Sequence, residues 1–232
     1  MPRVARIVVP DVSLHIVQRG HDRAPCFFDE DDYVAYLVAL STYAARFRCA
    51  VHAYCLMTNH VHLLVTPSDH DGCALLMKHL AQGHSKRINA KRGRSGSLWE
   101  GRFHSGLVAT DEYAIASYRY IELNPQRACM VDHPGRYRWS SYNANVGVEA
   151  HGFVRPHATF LALGLDEPHR ISAYRELCET PLPQPMIDEI RRATRSGHRM
   201  GAPRKRRGPQ PKRSVVTGNG DCHQLEMVTV TN

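Results

Sequence analysis

The sequence predicts an α+β domain followed by a helical extension and a basic tail, and three observations carry that prediction. Between residues 14 and 66, short alternating apolar runs of strand type are interleaved with one long run of helical periodicity. Two further helical runs follow, one of them opening on an N-cap segment. From Gly197 onward the composition turns basic and contains Pro and Gly, without periodicity.

Taken in order, Leu14 to Arg19 (LHIVQR) alternates as a strand does, and Gly20-His21-Asp22-Arg23 is a polar break. Asp29 to Asp32 supply N-cap candidates for DYVAYLVALSTYAARF, the clearest helix in the chain. Two strands are expected next, Ala50 to Met57 and Val61 to Thr66, separated by Thr58-Asn59-His60. Cys73 to Ala90 is amphipathic and helical, with Gly83 costing about 1 kcal/mol relative to alanine. Ser97 to Ala109 is either a strand or an ordered loop by pattern. A further helix opens at Thr110-Asp111-Glu112 and runs through EYAIASYRYIEL until Pro125 disfavours helix at Asn124. Short helices around residues 159–163 and 170–178 and one amphipathic candidate beyond Met186 complete the pattern.

A chain of 232 residues with 43% hydrophobic content can bury a core of ordinary domain size. Its 7 cysteines are odd in number and none are spaced C-x-x-C, which argues against a disulfide framework or a zinc knuckle and for reduced thiols. The N-terminus has no run resembling a signal peptide, and no segment approaches a membrane span, so a cytoplasmic protein is expected. The net charge of +8 favours a polyanionic partner, and its location is informative. Ten Lys or Arg and no Asp or Glu fall between Arg191 and Arg213, which leaves 20 basic against 22 acidic residues elsewhere. The bulk of the domain is thus near neutral, and affinity for nucleic acid is expected to have a separate electrostatic handle.

The chemistry centres on His60-Val61-His62. On a strand, residues i and i+2 share a face, so both imidazoles point the same way and can clasp one metal ion while Val61 faces the core. A bare His-x-His is more often an accident of a solvent-facing strand. A partner nonetheless exists on the helix after Asp111, where Tyr113, Tyr120 and Asn124 line one face and Tyr118 points away. A phenol with a pKa of about 10 is a poor nucleophile at neutral pH. Next to a divalent cation that polarises a phosphate, it needs little general-base help. Asn124 offers an amide oxygen as a third ligand. The bland reading makes Tyr120 a core-edge tyrosine and Asn124 a helix C-cap.

The segments HIVQRG (residues 15–20), AYCLMTNHVHLL (53–64), LWEGRF (98–103), RYIELNPQRA (119–128) and WSSY (139–142) resemble, in order, the signatures of HUH single-tyrosine transposases. Within that group the sequence is most similar to the REP-associated tyrosine transposases of bacteria, over about residues 12–145. The resemblance implies a ferredoxin-like antiparallel sheet with helices on one face, the histidine pair on a central strand and the tyrosine on a helix beside it. It divides the chain into a catalytic domain (1–145), a helical extension (146–199) and a basic tail (200–232), expected to be disordered.

In chemistry, the resemblance implies a metal-dependent nickase and strand transferase. Tyr120 would attack single-stranded hairpin DNA to form a 5′-phosphotyrosine, with Mg²⁺ or Mn²⁺ held by His60, His62 and Asn124. It implies a nucleoid-associated enzyme, with a homodimer as one expected state. Leu14 and Gly83-His84-Ser85 depart from the family pattern and bear on hairpin preference before they bear on nicking.

Candidate phosphate contacts are Arg19, Lys86, Arg87, Arg94, Arg102 and Arg127 in the domain, where a scattered cation is more often a solvated surface charge, and Arg204, Lys205, Arg206 and Arg207 in the tail, which is equally readable as a solvated segment. Trp99 and Phe103 either stack on bases or belong to the core. Two other functions compete: a silent hairpin DNA- or RNA-binding protein on the same fold, which the intact His60, His62 and Tyr120 argue against, and a histidine-triad hydrolase, which would want a third alternating histidine where Leu64 stands.

Overall fold

The computed structural model describes residues 7–150 and 152–201. Four strands, β1 (Ser13–Arg19), β2 (Cys49–Met57), β3 (His60–Pro67) and β4 (His104–Val108), form one sheet in the order β2-β3-β1-β4. All neighbouring pairs are antiparallel. The crossover helices α1 (Glu30–Arg46) and α2 (Gly72–Lys91) join β1 to β2 and β3 to β4, so each crossover skips one strand. That is the split β-α-β pattern of the ferredoxin-like fold.

Side-chain alternation sorts the sheet's two faces. Leu14, Ile16, Val61, Leu63 and Val65 enter one core together with Tyr36 and Leu40 of α1 and Leu76, Met77 and Leu80 of α2. The one-face expectation thus holds for the ferredoxin-like unit itself. The opposite face is covered as well, by α3 (Asp111–Glu122) and the helices that follow it. These are α4 (Asn124–Arg127), α5 (Tyr142–Asn145), α6 (Ala158–Leu161), α7 (Glu167–Glu179) and α8 (Gln184–Ser196). Ala53, Cys55, Leu64, Tyr118, Ile121, Tyr174, Ile187 and Ile190 form that second core.

Local chemistry sets the ends of the elements. Thr110 caps α3 by accepting from Tyr113 N–H, and Pro125, which lacks an N–H, follows the end of that helix at Glu122. Asn124 therefore stands two residues past α3 and not on it. Between β2 and β3 the turn is tighter than expected: His60 already belongs to β3, opposite Met57. Of Ser97 to Ala109, only His104–Val108 is strand. The LWEGRF segment instead closes the end of β1, where His21 N–H donates to Leu98 O at 2.9 Å and Glu100 N–H to Arg19 O at 2.9 Å. Trp99 and Phe103 are buried, so the core reading of both holds.

Both sheet edges are occupied, which removes the unpaired rows that invite edge-to-edge association. WSSY lies along β2, with Leu56 N–H donating to Trp139 O at 2.8 Å and Ser141 N–H to Tyr54 O at 3.0 Å. Along β4, Leu107 N–H donates to His198 O at 3.2 Å and Met200 N–H to Leu107 O at 2.8 Å. That last stretch is reached because Gly197 ends α8 in the left-handed conformation, at φ 71°.

The chain up to Ala202 is one compact unit, in which α8 packs on β4. Gly106 permits that contact, since a Cβ there would lie 3.0 Å from Thr194 N and 3.1 Å from Ala193 C. The basic run expected to be a separate handle thus begins inside the folded unit, with Arg191, Arg192 and Arg195 on α8. Arg204, Lys205, Arg206, Arg207 and the rest of the tail lie outside the described residues.

Candidate active site

β3 carries His60 and His62 on the face that α3 and α8 cover, and β1 delivers Arg19 opposite His60 and Val17 opposite His62. The two imidazoles are neighbours, with ring centroids 4.8 Å apart. Tyr120 reaches the same place from α3, its ring 5.8 Å from that of His62 and 5.6 Å from that of His15. The histidine pair and the tyrosine expected from the sequence are therefore brought together.

The hydrogen bonds around the imidazoles fix which nitrogen carries the proton. Asn59 donates its amide N–H to Arg23 O at 3.0 Å, which turns its amide oxygen toward His60 Nδ1 at 2.6 Å. An amide oxygen only accepts, so His60 holds its proton on Nδ1 and presents a bare Nε2. For His62 the chain is longer. Thr194 Oγ1 lies 2.8 Å from Ile190 O, and two oxygens that close must share the hydroxyl proton. Thr194 then accepts from His15 Nδ1 at 2.9 Å, and His15 Nε2 accepts from His62 Nδ1 at 3.0 Å. His62 is left with a bare Nε2 too.

Burial keeps these rings neutral. It lowers His15 to about 3, with Arg127 adding to the effect, and His60 to about 4, with Arg19 adding. His62 is pushed well below the ordinary histidine value by burial and then by its histidine and arginine neighbours.

Two arginines attend Tyr120. The Arg127 guanidinium lies over its ring, 4.2 Å from the centroid, and donates to the Tyr120 carbonyl at 2.9 Å. Arg191 Nε, from α8, lies 3.4 Å from the phenolic oxygen. Beside the site, Arg19, Arg102, His104, Thr194, Arg195 and His198 line one cleft.

Among the other expected residues, Lys86 and Arg87 sit on α2, in the layer on the opposite face of the sheet, where Arg87 lies 3.9 Å from the buried Asp32 carboxylate. Asn124 is half-buried, and its carbonyl accepts from Ala128 N–H at 3.0 Å. Tyr118 does point away: its hydroxyl accepts from His157 N–H at 2.9 Å in the second core.

A sheet of this topology with a His-x-His pair facing a helical tyrosine agrees with a family model described as IS200-like transposase, which matches residues 8–124, just over half of the chain. The chain belongs to that family. It is 24% identical over 107 residues to a protein of Haemophilus influenzae described as a REP-associated tyrosine transposase, a match covering 42% of this chain and 61% of that relative's length. A solved REP-associated tyrosine transposase, determined with a REP hairpin bound, superposes with a TM-score of 0.55 at 14% identity. It covers 68% of this chain and 96% of its own, and it shares the fold. A transposase structure from Deinococcus radiodurans aligns at a TM-score of 0.37 and 21% identity, over 52% of this chain and 96% of its own.

Sequence reasoning missed His15, Thr194 and Arg191. His15 was within reach, since it stands one strand over from His62 and on the same face once β1 pairs with β3. Arg191 was visible only as the first cation of the basic run, and Thr194 gave no local signal: both lie beyond the matched residues, on a helix whose pattern is merely amphipathic.

Proposed function

We propose that this chain is a metal-dependent nickase and strand transferase for single-stranded hairpin DNA, with Tyr120 as nucleophile. The observation that carries this reading is that the Tyr120 ring lies beside His62 and under Arg127, with Arg191 beside its hydroxyl. Phenolic oxygen attacks one phosphodiester phosphorus, the Tyr–O–P bond forms and the P–O3′ bond breaks. The phenolic proton is lost to solvent, the 3′-oxygen takes one up, and a 5′-phosphotyrosine and a free 3′-hydroxyl result. Attack by another 3′-hydroxyl on the phosphotyrosine reverses these changes and rejoins DNA without ATP.

His60 and His62, neutral and with both Nε2 lone pairs free, fit a divalent cation. No third His, Cys, Asp or Glu joins them among the described residues. The resemblance implies Mg²⁺ or Mn²⁺; two imidazoles alone do not select these oxygen-preferring ions, so water and phosphate oxygens would fill the remaining positions, and the Asn124 amide is the proposed third protein ligand. The bound ion supplies Lewis-acid polarisation of the scissile phosphate. Arg191 and Arg127 do complementary work by favouring negative charge on the phenolic oxygen as its proton leaves. The cleft lined by Arg19, Arg102 and Arg195, with Glu100 among its other residues, offers guanidinium groups suited to holding phosphates. The hairpin bound by the solved relative supports a hairpin substrate here.

Labelled hairpin DNA with a single-stranded flank, incubated with Mn²⁺, should give a protein–DNA adduct that survives denaturant. Wild-type protein that cuts in excess chelator would remove the metal from the mechanism.

A further inference from the structure

We infer that Thr194 on α8, acting through His15, is a positioning residue that holds the metal ligand His62 in its Nδ1–H tautomer. The inference rests on the metal reading above and extends it to a part of the chain outside the family-matched residues.

The geometry is a directed relay. Ile190 O can only accept, and at 2.8 Å it takes the one proton that Thr194 Oγ1 has to give. Thr194 must then accept at its 2.9 Å contact with His15 Nδ1, so His15 carries its proton there. The opposite nitrogen, His15 Nε2, is left as the acceptor 3.0 Å from His62 Nδ1. Every link is buried: Thr194 is 4% exposed, His15 1% and His62 4%, so water does not compete for these partners. The His15 and His62 rings are near-parallel, 10° apart.

Reversal at any link propagates to the last one. If Thr194 no longer accepts, His15 is free to carry its proton on Nε2. His62 must then accept at Nδ1 and place its own proton on Nε2, the lone pair a metal needs. Partners that orient a ligating histidine in this way are typically worth about 10–100-fold in metal affinity. The fold supplies a reason for Gly106 as well: it lies opposite His15 on β4, and its missing side chain lets α8 come close enough for the Thr194 hydroxyl to reach.

Thr194→Val, which keeps the shape and removes the hydroxyl, and Thr194→Ser, which restores it, separate this role from packing. Side-chain ¹⁵N NMR of the metal-free full-length protein reads the His62 tautomer directly. Wild type and Thr194→Ser should show a protonated Nδ1 and a bare Nε2, and Thr194→Val should show a mixed or reversed state. Calorimetric titration with Mn²⁺ should show affinity about tenfold weaker for Thr194→Val and close to wild type for Thr194→Ser. A His62 protonated on Nε2 in the wild type would overturn the relay, as would a Thr194→Val protein with wild-type tautomer and Mn²⁺ affinity. Because the tautomer is read without metal, a correct relay combined with no Mn²⁺ binding would instead count against the metal reading.

Discussion

The Nε2 atoms of His60 and His62 are bare because other groups hold the Nδ1 protons, Asn59 for one ring and His15 for the other. Replacing either histidine with alanine leaves a single imidazole, so adduct formation should be lost at low Mn²⁺ and recover only at much higher concentration; titrating Mn²⁺ against adduct yield measures it. Tyr118→Phe should behave in the opposite way. Its hydroxyl accepts from His157 N–H inside the second core, so its loss should cost about 1 kcal/mol of stability and leave cleavage intact. Glu122, also on α3, gives a prediction in pH. Burial raises its pKa to about 7, although Ser141, Tyr174 and Asn145 all donate to its oxygens. The folded state then holds a proton that the unfolded state releases nearer 4.5, so this stabilising contribution is complete below about 4.5 and lost as pH rises through about 7. Glu122→Gln stays neutral throughout. Urea unfolding at pH 5 and pH 8 should show wild type losing roughly 2–3 kcal/mol relative to the variant, and parallel profiles would contradict the assignment.

Among the elements, α8 ties the C-terminal part of the chain to the site. It docks on β4 at Gly106, contributes Thr194 and Arg191, and ends at Gly197 so that His198–Met200 can run along the edge of β4. Ending the chain after Thr194 would remove the Gly197 stop, the edge pairing and the fully buried Met200. It should lower stability by about 2–4 kcal/mol, chiefly from Met burial, whereas ending after Ala202 should leave the unfolding midpoint unchanged. Gly106→Val should weaken Mn²⁺ binding and stability together by pushing α8 from the sheet. The strands, α1, α2 and α3 were legible because each carries its own period and punctuation within a short window. His60, His62 and Tyr120 were legible because spacing alone puts them on single faces. What α8 does was not, since Thr194 meets His15 across 179 residues of sequence and an amphipathic helix says only that one face is buried. The ambiguity of Ser97 to Ala109 has a similar origin: its first half is held by long-range bonds to Arg19, His21 and Ala81, which leave no alternation behind.

Over the whole molecule, charge and chemistry are less separated than the sequence suggested, because the basic run starts on the helix that completes the site. Six further cations of the basic run, Arg204, Lys205, Arg206, Arg207, Lys212 and Arg213, follow Ala202 in the sequence. If about half of these contact phosphates, removing the segment after Ala202 should flatten the salt dependence of log K for single strands by roughly 2, at about 0.7 per contact, and an unchanged slope would make it merely solvated. Hairpin affinity and cutting should therefore be separable. The most direct test of Tyr120 as nucleophile is a denaturing gel of labelled hairpin DNA incubated with Mn²⁺ and either wild-type protein or Tyr120→Phe. A denaturant-resistant adduct should form with the wild type alone, and both proteins should retain the hairpin equally under native conditions. An adduct formed by Tyr120→Phe, or a wild type that binds the hairpin and forms none, would contradict that role.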